Sequence, residues 1–417
     1  MSTSNNTTVD RDASFIAVFR MSLESVVTLL LQYIVGALAA YLGFVSQADV
    51  PPLGTMTNLI LIPCLSMASL GRGLSVDVFA SQGGWVLVII GFASSLCYAA
   101  FGLVLRRLGK PDPEFRNLFV VMLAIPNVVA IPITLAQSLC AYGAFDQEFR
   151  GNRMQCTERA MAYVFLYVSL DAVNTFVFAY TYLAGAPTRG AEGGRGHGDR
   201  CSSGGTSRGK AALDAVDLQT SVQLTVPQST VCVAARQHAR SLLRKPPVLG
   251  MFAGLVIGLV PPVQAAIFSE RGVLAFSGLA ISSFADAAVP IINLMVAFSL
   301  GHKLKALRSW RDLFGSHEVG ISSRTLLVLT LGRMIIMPTL NGLALYAMFG
   351  ILPASRLLRV ILFVEMAPPT ASIVVMLTHL AEKPKLAQLC AFALVPQYLL
   401  VPLTLTTTLI VALYVTG

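Results

Sequence analysis

Two stretches of the sequence, AIPNVVAIP (124–132) and EMAPPTASI (365–373), each place two prolines inside an apolar segment long enough to cross a membrane. A proline inside a helix removes one backbone hydrogen bond and clashes with the preceding turn, at about 3 kcal/mol or more. Two such prolines break a helix rather than bend it. Broken backbone at membrane depth is tolerated only where it is buried in protein or lines a cavity. The two stretches therefore predict two broken membrane helices around an internal site.

The composition of the chain agrees with a membrane protein. Of its 417 residues, 55% are apolar and 12% are charged, whereas a soluble protein is about 25% charged. This excludes a typical cytosolic enzyme, a disordered chain and a secreted disulfide scaffold. The net charge of +9 is interpreted as an excess of basic residues in cytoplasmic loops, not as a nucleic-acid interface.

Ten apolar segments are each long enough to span a bilayer as a helix. They are residues 22–45, 52–71, 84–106, 117–140, 160–184, 247–267, 276–300, 324–350, 357–380 and 387–415. A Gly-, Ser- and Arg-rich insert, residues 185–246, is predicted to be a flexible linker. The predicted organisation is an outer polar tail (1–13), a first five-helix repeat (14–184), this linker, and a second five-helix repeat (247–417).

The distribution of Lys and Arg sets the predicted orientation. With both termini outside, the inner loops and their borders carry 20 of the 30 Lys and Arg residues, so the linker is predicted to be cytosolic. Five spans before a cytosolic linker and five after it form an inverted repeat. Cys140 and Cys156 bracket the outer loop after the fourth span. A disulfide there would close a loop of about 17 residues, worth about 3 kcal/mol; two unpaired cysteines are the alternative.

The polar side chains beside the two breaks are the candidate substrate ligands. Asn127, Thr370 and Ser372 carry hydrogen-bond donors and no charge, and the broken ends offer half-helix N-termini that attract an anion. This combination suits a weak organic acid that must be released again. The same side chains also suit local capping of a broken helix, and the two interpretations are compatible.

Ionisable residues inside the spans are functional candidates by default, because they are costly there. Glu365 and Asp286 are the candidates for proton coupling. Arg333 is a candidate ion-pair partner of Glu365, and a purely structural Arg333–Glu365 pair is the alternative. The sequence shows no metal-ligand spacing, no cofactor motif and no motif of an intramembrane enzyme, so we expect no metal site, no cofactor and no enzymatic activity.

The chain resembles the auxin efflux carrier superfamily, and the PIN-LIKES branch more than the long-looped PIN branch. The resemblance rests on IPITLAQSLCAYGAFDQEFRGNRMQCTERAMAYVFLYVSL (131–170), DAAVPIINLMVAFSLGHKL (286–304), LGRMIIMP (331–338) and FVEMAPPTASIVVMLTHL (363–380). It implies an all-α membrane protein with ten transmembrane helices in a 5+5 inverted repeat, in which broken helices 4 and 9 cross. Family members commonly carry a second asparagine in helix 4 where this chain has Ala130, and an aromatic residue where it has Glu365.

The resemblance also implies a function and a site. It predicts a secondary transporter of auxin-like small organic anions that works by alternating access in a lipid bilayer. A homodimer is a candidate assembly, because homodimers are common in this fold. The endoplasmic reticulum membrane is favoured over the plasma membrane. The predicted substrate-binding residues lie at the crossing of helices 4 and 9. They are Asn127, Val128, Pro132, Pro368, Pro369, Thr370 and Ser372. Two alternatives remain: a sodium-coupled symporter of the bile-acid type, and a receptor that kept the fold and lost transport.

Overall fold

A computed structural model describes residues 30–81, 83–179, 245–305 and 320–416, and the isolated positions 20, 23, 24, 27, 182 and 183. Within these ranges the regular secondary structure is helical, and Pro126 and Thr370 form an isolated antiparallel β-bridge. The predicted outer tail and nearly all of the predicted linker lie outside the described residues.

The helices follow the predicted apolar segments closely. In the first half they are α1 (Leu30–Leu42), α2 (Gln47–Gly73), α3 (Gly84–Gly109), α4 (Arg116–Ala124), α5 (Ala130–Ala141), α6 (Asp146–Phe149) and α7 (Arg153–Val173). In the second half they are α8 (Pro246–Leu259), α9 (Pro261–Phe268), α10 (Ala275–Lys305), α11 (Ser323–Ala347), α12 (Arg356–Met366), α13 (Ile373–Leu380) and α14 (Pro384–Thr416). Each of the ten predicted segments contains helix.

Five of the described helices, α2, α3, α10, α11 and α14, are long and apolar enough to cross a membrane on their own. A sixth span is formed if α8 and α9 are counted together, although they meet at an angle of 106°. The prediction of one helix over 247–267 missed this bend. Pro261 and Pro262 begin α9, and a proline pushes the residue before it out of the helical region, so Val260 is extended (φ −112°, ψ 91°).

The described helices pack in two groups. In the first, α2 lies against α8 and α10, and α1 lies against α10. In the second, α3 packs on α4 and α7, while α12 and α13 pack on α14. The groups meet mainly where α2 contacts α7 and α13, and where α10 contacts α13 and α14. Both broken segments, α4–α5 and α12–α13, belong to the second group.

Small residues allow the closest helix pair, α2 and α8, to approach. Gly250, Gly254 and Gly258 recur every fourth residue on α8, and a Cβ atom at any of them would lie within 3.0 Å of the α2 backbone. Membrane helices commonly associate through such small residues, since the apolar lipid gives no hydrophobic drive for helix association. Substitution of these glycines would push the two helices apart.

Candidate functional site

The two helix breaks cross and are joined by backbone hydrogen bonds. The first break, residues 125–129, separates α4 from α5, and the second, residues 367–372, separates α12 from α13. The Asn127 amide donates to the Pro369 carbonyl at 2.8 Å, and the Ala371 amide donates to the Ile125 carbonyl at 2.9 Å. These bonds form the antiparallel bridge between Pro126 and Thr370. Backbone groups that have no helical hydrogen-bond partner at one break are thus bonded to backbone groups of the other break.

Thr370 completes the end of α4. In a continuous helix the Met122 carbonyl would accept from the amide four residues on, but that residue is Pro126, which has no N–H. The Thr370 hydroxyl donates to the Met122 carbonyl instead, at 2.6 Å. The Thr370 amide donates to Gln397 Oε1 on α14, at 2.9 Å. Thr370 is fully buried, and its hydrogen bonds tie the second break to α4 and to α14.

Arg333 completes the ends of both broken helices at once. It lies in a π-helical turn of α11, Gly332–Ile336, and is fully buried. Its Nε donates to the Pro368 carbonyl at 3.0 Å and its Nη1 to the Leu123 carbonyl at 3.3 Å. Its guanidinium carbon lies 4.7 Å from the centroid of the Tyr98 ring. A cation at the C-terminal ends of two helices is favourable, because the helix dipole places negative charge there.

A cavity of about 90 Å³ lies against the crossing. A water molecule needs about 10–15 Å³ by this measure, so the cavity has room for several. The lining comes from α2, α7, the π-helical segment Asn174–Ala179 that follows it, α10, both breaks and the first residues of α5 and α13, and all of it is uncharged. The polar lining residues are Ser66, Asn127, Thr175, Asn293 and Ser372. Ala130 and Ile373, the first residues of α5 and α13, also line it, so two helix N-termini meet at one cavity.

Two asparagines organise the polar wall of the cavity. Asn127 Nδ2 donates to the Tyr398 hydroxyl at 2.8 Å, and Asn127 Oδ1 accepts from the Ala130 amide at 3.2 Å. Asn293 Oδ1 accepts from the hydroxyls of Ser372 and Tyr33, each at 3.4 Å. The Tyr33 and Tyr398 rings stand edge to face, 5.2 Å apart. Residues of α1, α10 and α14 thus hold the side chains of both breaks in place.

The structure divides the predicted substrate-binding residues into two sets. Asn127, Val128 and Ser372 line the cavity. The other four are buried but are not lining residues: Pro132, Pro368, Pro369 and Thr370. Pro132 lies in the first turn of α5, where a missing N–H costs nothing. The carbonyls of Pro368 and Pro369 accept the bracing hydrogen bonds from Arg333 and Asn127.

The predicted coupling residues lie apart from the cavity lining. Glu365 is fully buried near the end of α12. Asp286 is exposed on α10, seven residues before Asn293, and is not a lining residue. The structure joins Cys140 and Cys156 in a disulfide that ties the end of α5 to the start of α7. In the described ranges, no group of three or more His, Cys, Asp or Glu residues is arranged to hold a metal ion.

The sequence predicts no role in the site for Tyr33, Asn293, Gln397 or Tyr398. Gln397 and Asn293 are isolated amides within apolar spans, which is the one signal that would have found them, since buried polar groups need partners. The tyrosines gave no such signal, because their rings suit an apolar span. Their role depends on which helices meet.

Comparisons with known proteins relate the chain to membrane transport proteins. The sequence matches the membrane transport protein family over residues 21–409. It is similar to the protein PIN-LIKES 2 of Arabidopsis thaliana, at 20% identity over 81% of this chain and 82% of the relative. It is also similar to an uncharacterised transporter of Schizosaccharomyces pombe, at 22% identity over 77% of this chain and 78% of the relative.

Proposed function

The chain belongs to the membrane transport protein family, that of the auxin efflux carriers, and from this premise we propose that it is a secondary carrier of auxin-like small organic anions. The observation that carries the proposal is the cavity at the crossing, where the N-termini of α5 and α13 meet beside Asn127 and Ser372. Helix N-termini attract anions. The similarity to a PIN-LIKES protein supports the choice of substrate class.

The uncharged lining fits a substrate that is bound and then released. A helix N-terminus contributes about 0.3–1 kcal/mol toward an anion, and a hydrogen bond to a charged group about 1.5–3 kcal/mol. Two of each amount to roughly 4–8 kcal/mol, which corresponds to dissociation constants between about 1 mM and 1 μM. A buried cation in the lining would hold a carboxylate more tightly and slow its release.

We propose that transport proceeds by alternating access. In this scheme the chain forms ten spans in a 5+5 inverted repeat, and broken helices 4 and 9 are α4–α5 and α12–α13. The group around α1, α2, α8 and α10 is the scaffold, and the group containing both breaks moves against it. The position of the cavity supports this, because α2 and α10 from one group and α7 from the other all line it.

The protein is a multi-pass membrane protein. We propose the endoplasmic reticulum as its membrane, on the similarity to the PIN-LIKES branch. Glu365 is the proposed proton-coupling group. It is a buried carboxyl near the end of α12, so a movement of the second break would change its surroundings and with them its protonation. Asp286 is exposed on α10 and is not a lining residue of the cavity, and it stays the second proposed candidate for proton coupling.

Flux in reconstituted liposomes tests this function. Purified protein is loaded into vesicles and uptake of radiolabelled indole-3-acetic acid is measured for wild type, Asn127→Ala and Asn117→Ala. Asn127→Ala removes a hydrogen bond to a charged ligand, worth about 1.5–3 kcal/mol, so we expect uptake to fall at least tenfold. Asn117→Ala is the matched control, since Asn117 bonds the Tyr182 carbonyl and lines no part of the cavity. Equal losses in both variants would contradict the proposed site.

Gradients and a second variant separate the coupling schemes. Under a pH gradient, Glu365→Gln is expected to keep flux and lose its pH response. A requirement for a sodium gradient would favour the bile-acid-type symporter. If folded wild-type protein moves no organic anion of a broad panel under either gradient, the carrier proposal fails, and a receptor with this fold replaces it.

A further inference from the structure

A second, strongly basic pocket lies where α3 ends and α4 begins. Its volume is about 370 Å³, and its lining consists of Pro111 and four cationic side chains. These are Arg106, Arg107, Lys110 and Arg116. Lys110 adopts a left-handed conformation (φ 45°) and its amide caps α3 by donating to the Arg106 carbonyl at 3.1 Å. This sharp reversal brings the first residue of α4, Arg116, back beside the last turn of α3.

Within the described part of the chain, no carboxylate is paired with any of these four cations. No carboxylate lines the pocket, although Asp112 and Glu114 belong to the same loop. Across the ranges that the structure describes, no acidic group lies within 4.0 Å of any of the four charged ends. Like charges gathered without a partner repel one another, which an anionic ligand would relieve.

The helix surface just above the pocket is apolar and open. Leu103, Val104 and Leu108 of α3 are 45%, 54% and 55% exposed. Leu103 and Val104 lie four and three residues before Arg107, so these two apolar side chains share a helix face with the Arg107 side chain. The basic pocket and this face together match an amphipathic ligand with an anionic head and an apolar tail.

We propose that this pocket binds the phosphate headgroup of an anionic phospholipid of the inner leaflet, with its acyl chains along Leu103, Val104 and Leu108. Basic pockets between membrane helices on the cytoplasmic side bind such headgroups, and the basic loops of this chain place the α3–α4 turn on that side. The apolar face commits the site to a lipid, since a soluble phosphate would make no use of it.

The pocket lies at the start of α4, and the first break lies at the end of the same helix. Arg106 Nη1 donates to the Tyr182 hydroxyl at 3.4 Å, and Asn117 Nδ2 donates to the Tyr182 carbonyl at 3.0 Å. Residues from α3, from α4 and from the chain beyond α7 thus meet beside it. A headgroup held by Arg107 and Arg116 bridges α3 to α4, the helix that enters the first break.

The test compares two charge-matched double variants of the full chain. Lys110→Gln/Arg116→Gln removes two pocket cations, and Lys305→Gln/Lys385→Gln removes two exposed cations of other predicted inner loops. The proteins are purified from membranes containing phosphatidylinositol and phosphatidylcholine, and retained lipid is counted by native mass spectrometry. Each basic residue at an anionic surface contributes a factor of about five in affinity, so we expect the pocket variant to bind phosphatidylinositol about 30-fold more weakly. The control variant is expected to bind as wild type.

Three results would overturn the proposal. Equal losses in the two doubles would show general surface electrostatics rather than a pocket. Equal retention of phosphatidylinositol and phosphatidylcholine by wild type would show no headgroup recognition. Competition by glycerophosphoinositol at the same concentration as the lipid would show a site for soluble phosphates. The charge-preserving variant Lys110→Arg/Arg116→Lys keeps binding within a few-fold if charge is the determinant, which separates loss of charge from misfolding.

Discussion

Both helix breaks are marked in the sequence by two prolines in an apolar segment, but they have different structural roles. The first break turns Asn127 and Val128 toward the cavity. The second break keeps Pro368, Pro369 and Thr370 buried, and uses their polar groups to hold α4, α11 and α14. Only Ala371 and Ser372 of the second break reach the cavity. The two proline-broken segments are therefore not interchangeable: the first mainly lines the cavity, and the second mainly holds neighbouring helices through hydrogen bonds.

The difference follows from which carbonyls the prolines leave without a helical partner. Pro126 deprives the Met122 carbonyl of its amide, and the second break supplies Thr370 in return. The second break therefore repairs the first, and the Thr370 hydroxyl is used in doing so. Asn127 has an amide nitrogen that reaches Tyr398, and it remains at the cavity surface.

The largest expected effect on stability is at Arg333, which donates hydrogen bonds to carbonyls at the ends of both broken helices. Arg333→Met leaves the Leu123 and Pro368 carbonyls unsatisfied, at about 1–3 kcal/mol each, so we expect a loss of roughly 2–6 kcal/mol in the free energy of unfolding. Thermal unfolding of the purified protein checks this. Arg359→Met is the control: Arg359 bonds three backbone carbonyls and also faces a ring, that of Phe349, but is only half-buried. Equal losses would show that the crossing is not specially dependent on Arg333.

A smaller effect is expected at the second break. Thr370→Val keeps the shape of the side chain and removes the hydroxyl that serves the Met122 carbonyl, which we expect to cost about 1–3 kcal/mol of stability. Thr339→Val removes a comparable hydroxyl from an exposed position on α11, and its unfolding temperature should stay near wild type. If Thr370→Val lowers substrate affinity while stability is unchanged, Thr370 is a ligand and its assignment to a structural role is wrong.

The smallest expected effect on stability is at the cavity. Ser372→Ala removes a hydroxyl with a long hydrogen bond to Asn293, 3.4 Å, so we expect a loss of about 0.5 kcal/mol or less. The KM for a transported anion should rise roughly two- to tenfold, because a neutral or charge-assisted hydrogen bond to substrate is lost. Ser283→Ala, on the exposed side of α10, serves as the control and should leave KM unchanged.

The positions of the helices and of the two breaks could be predicted from the sequence, because they depend on hydrophobicity and on proline. All ten apolar segments contain helix, and both predicted breaks lie beside Pro126 and Pro368. Within those stretches the physical rule needed one refinement: Pro132 does not break α5, because a proline in a first turn has no hydrogen bond to lose. The bend at Val260 was missed although Pro261 and Pro262 mark it.

The site was less accessible, because its polar wall is assembled from distant segments. Asn127 and Ser372 were found from their position beside prolines. Tyr398 of α14 accepts from Asn127, Asn293 of α10 accepts from Ser372, and Tyr33 of α1 donates to Asn293. No local pattern relates these helices. Thr370 was assigned to the substrate because its hydroxyl is a donor, but the acceptor it serves, the Met122 carbonyl, is 248 residues away.

Cysteine protection tests the central claim, that the cavity at the crossing is the transport site, most directly. Val128→Cys and Ala141→Cys are made in a background without the unbridged cysteines, and labelling by a membrane-impermeant thiol reagent is followed in sealed liposomes. Val128 lines the cavity, whereas Ala141 is exposed at the far end of α5. Any organic anion that the protein transports is expected to slow labelling at position 128 and leave position 141 unchanged. A transported anion that protects neither position would contradict the account.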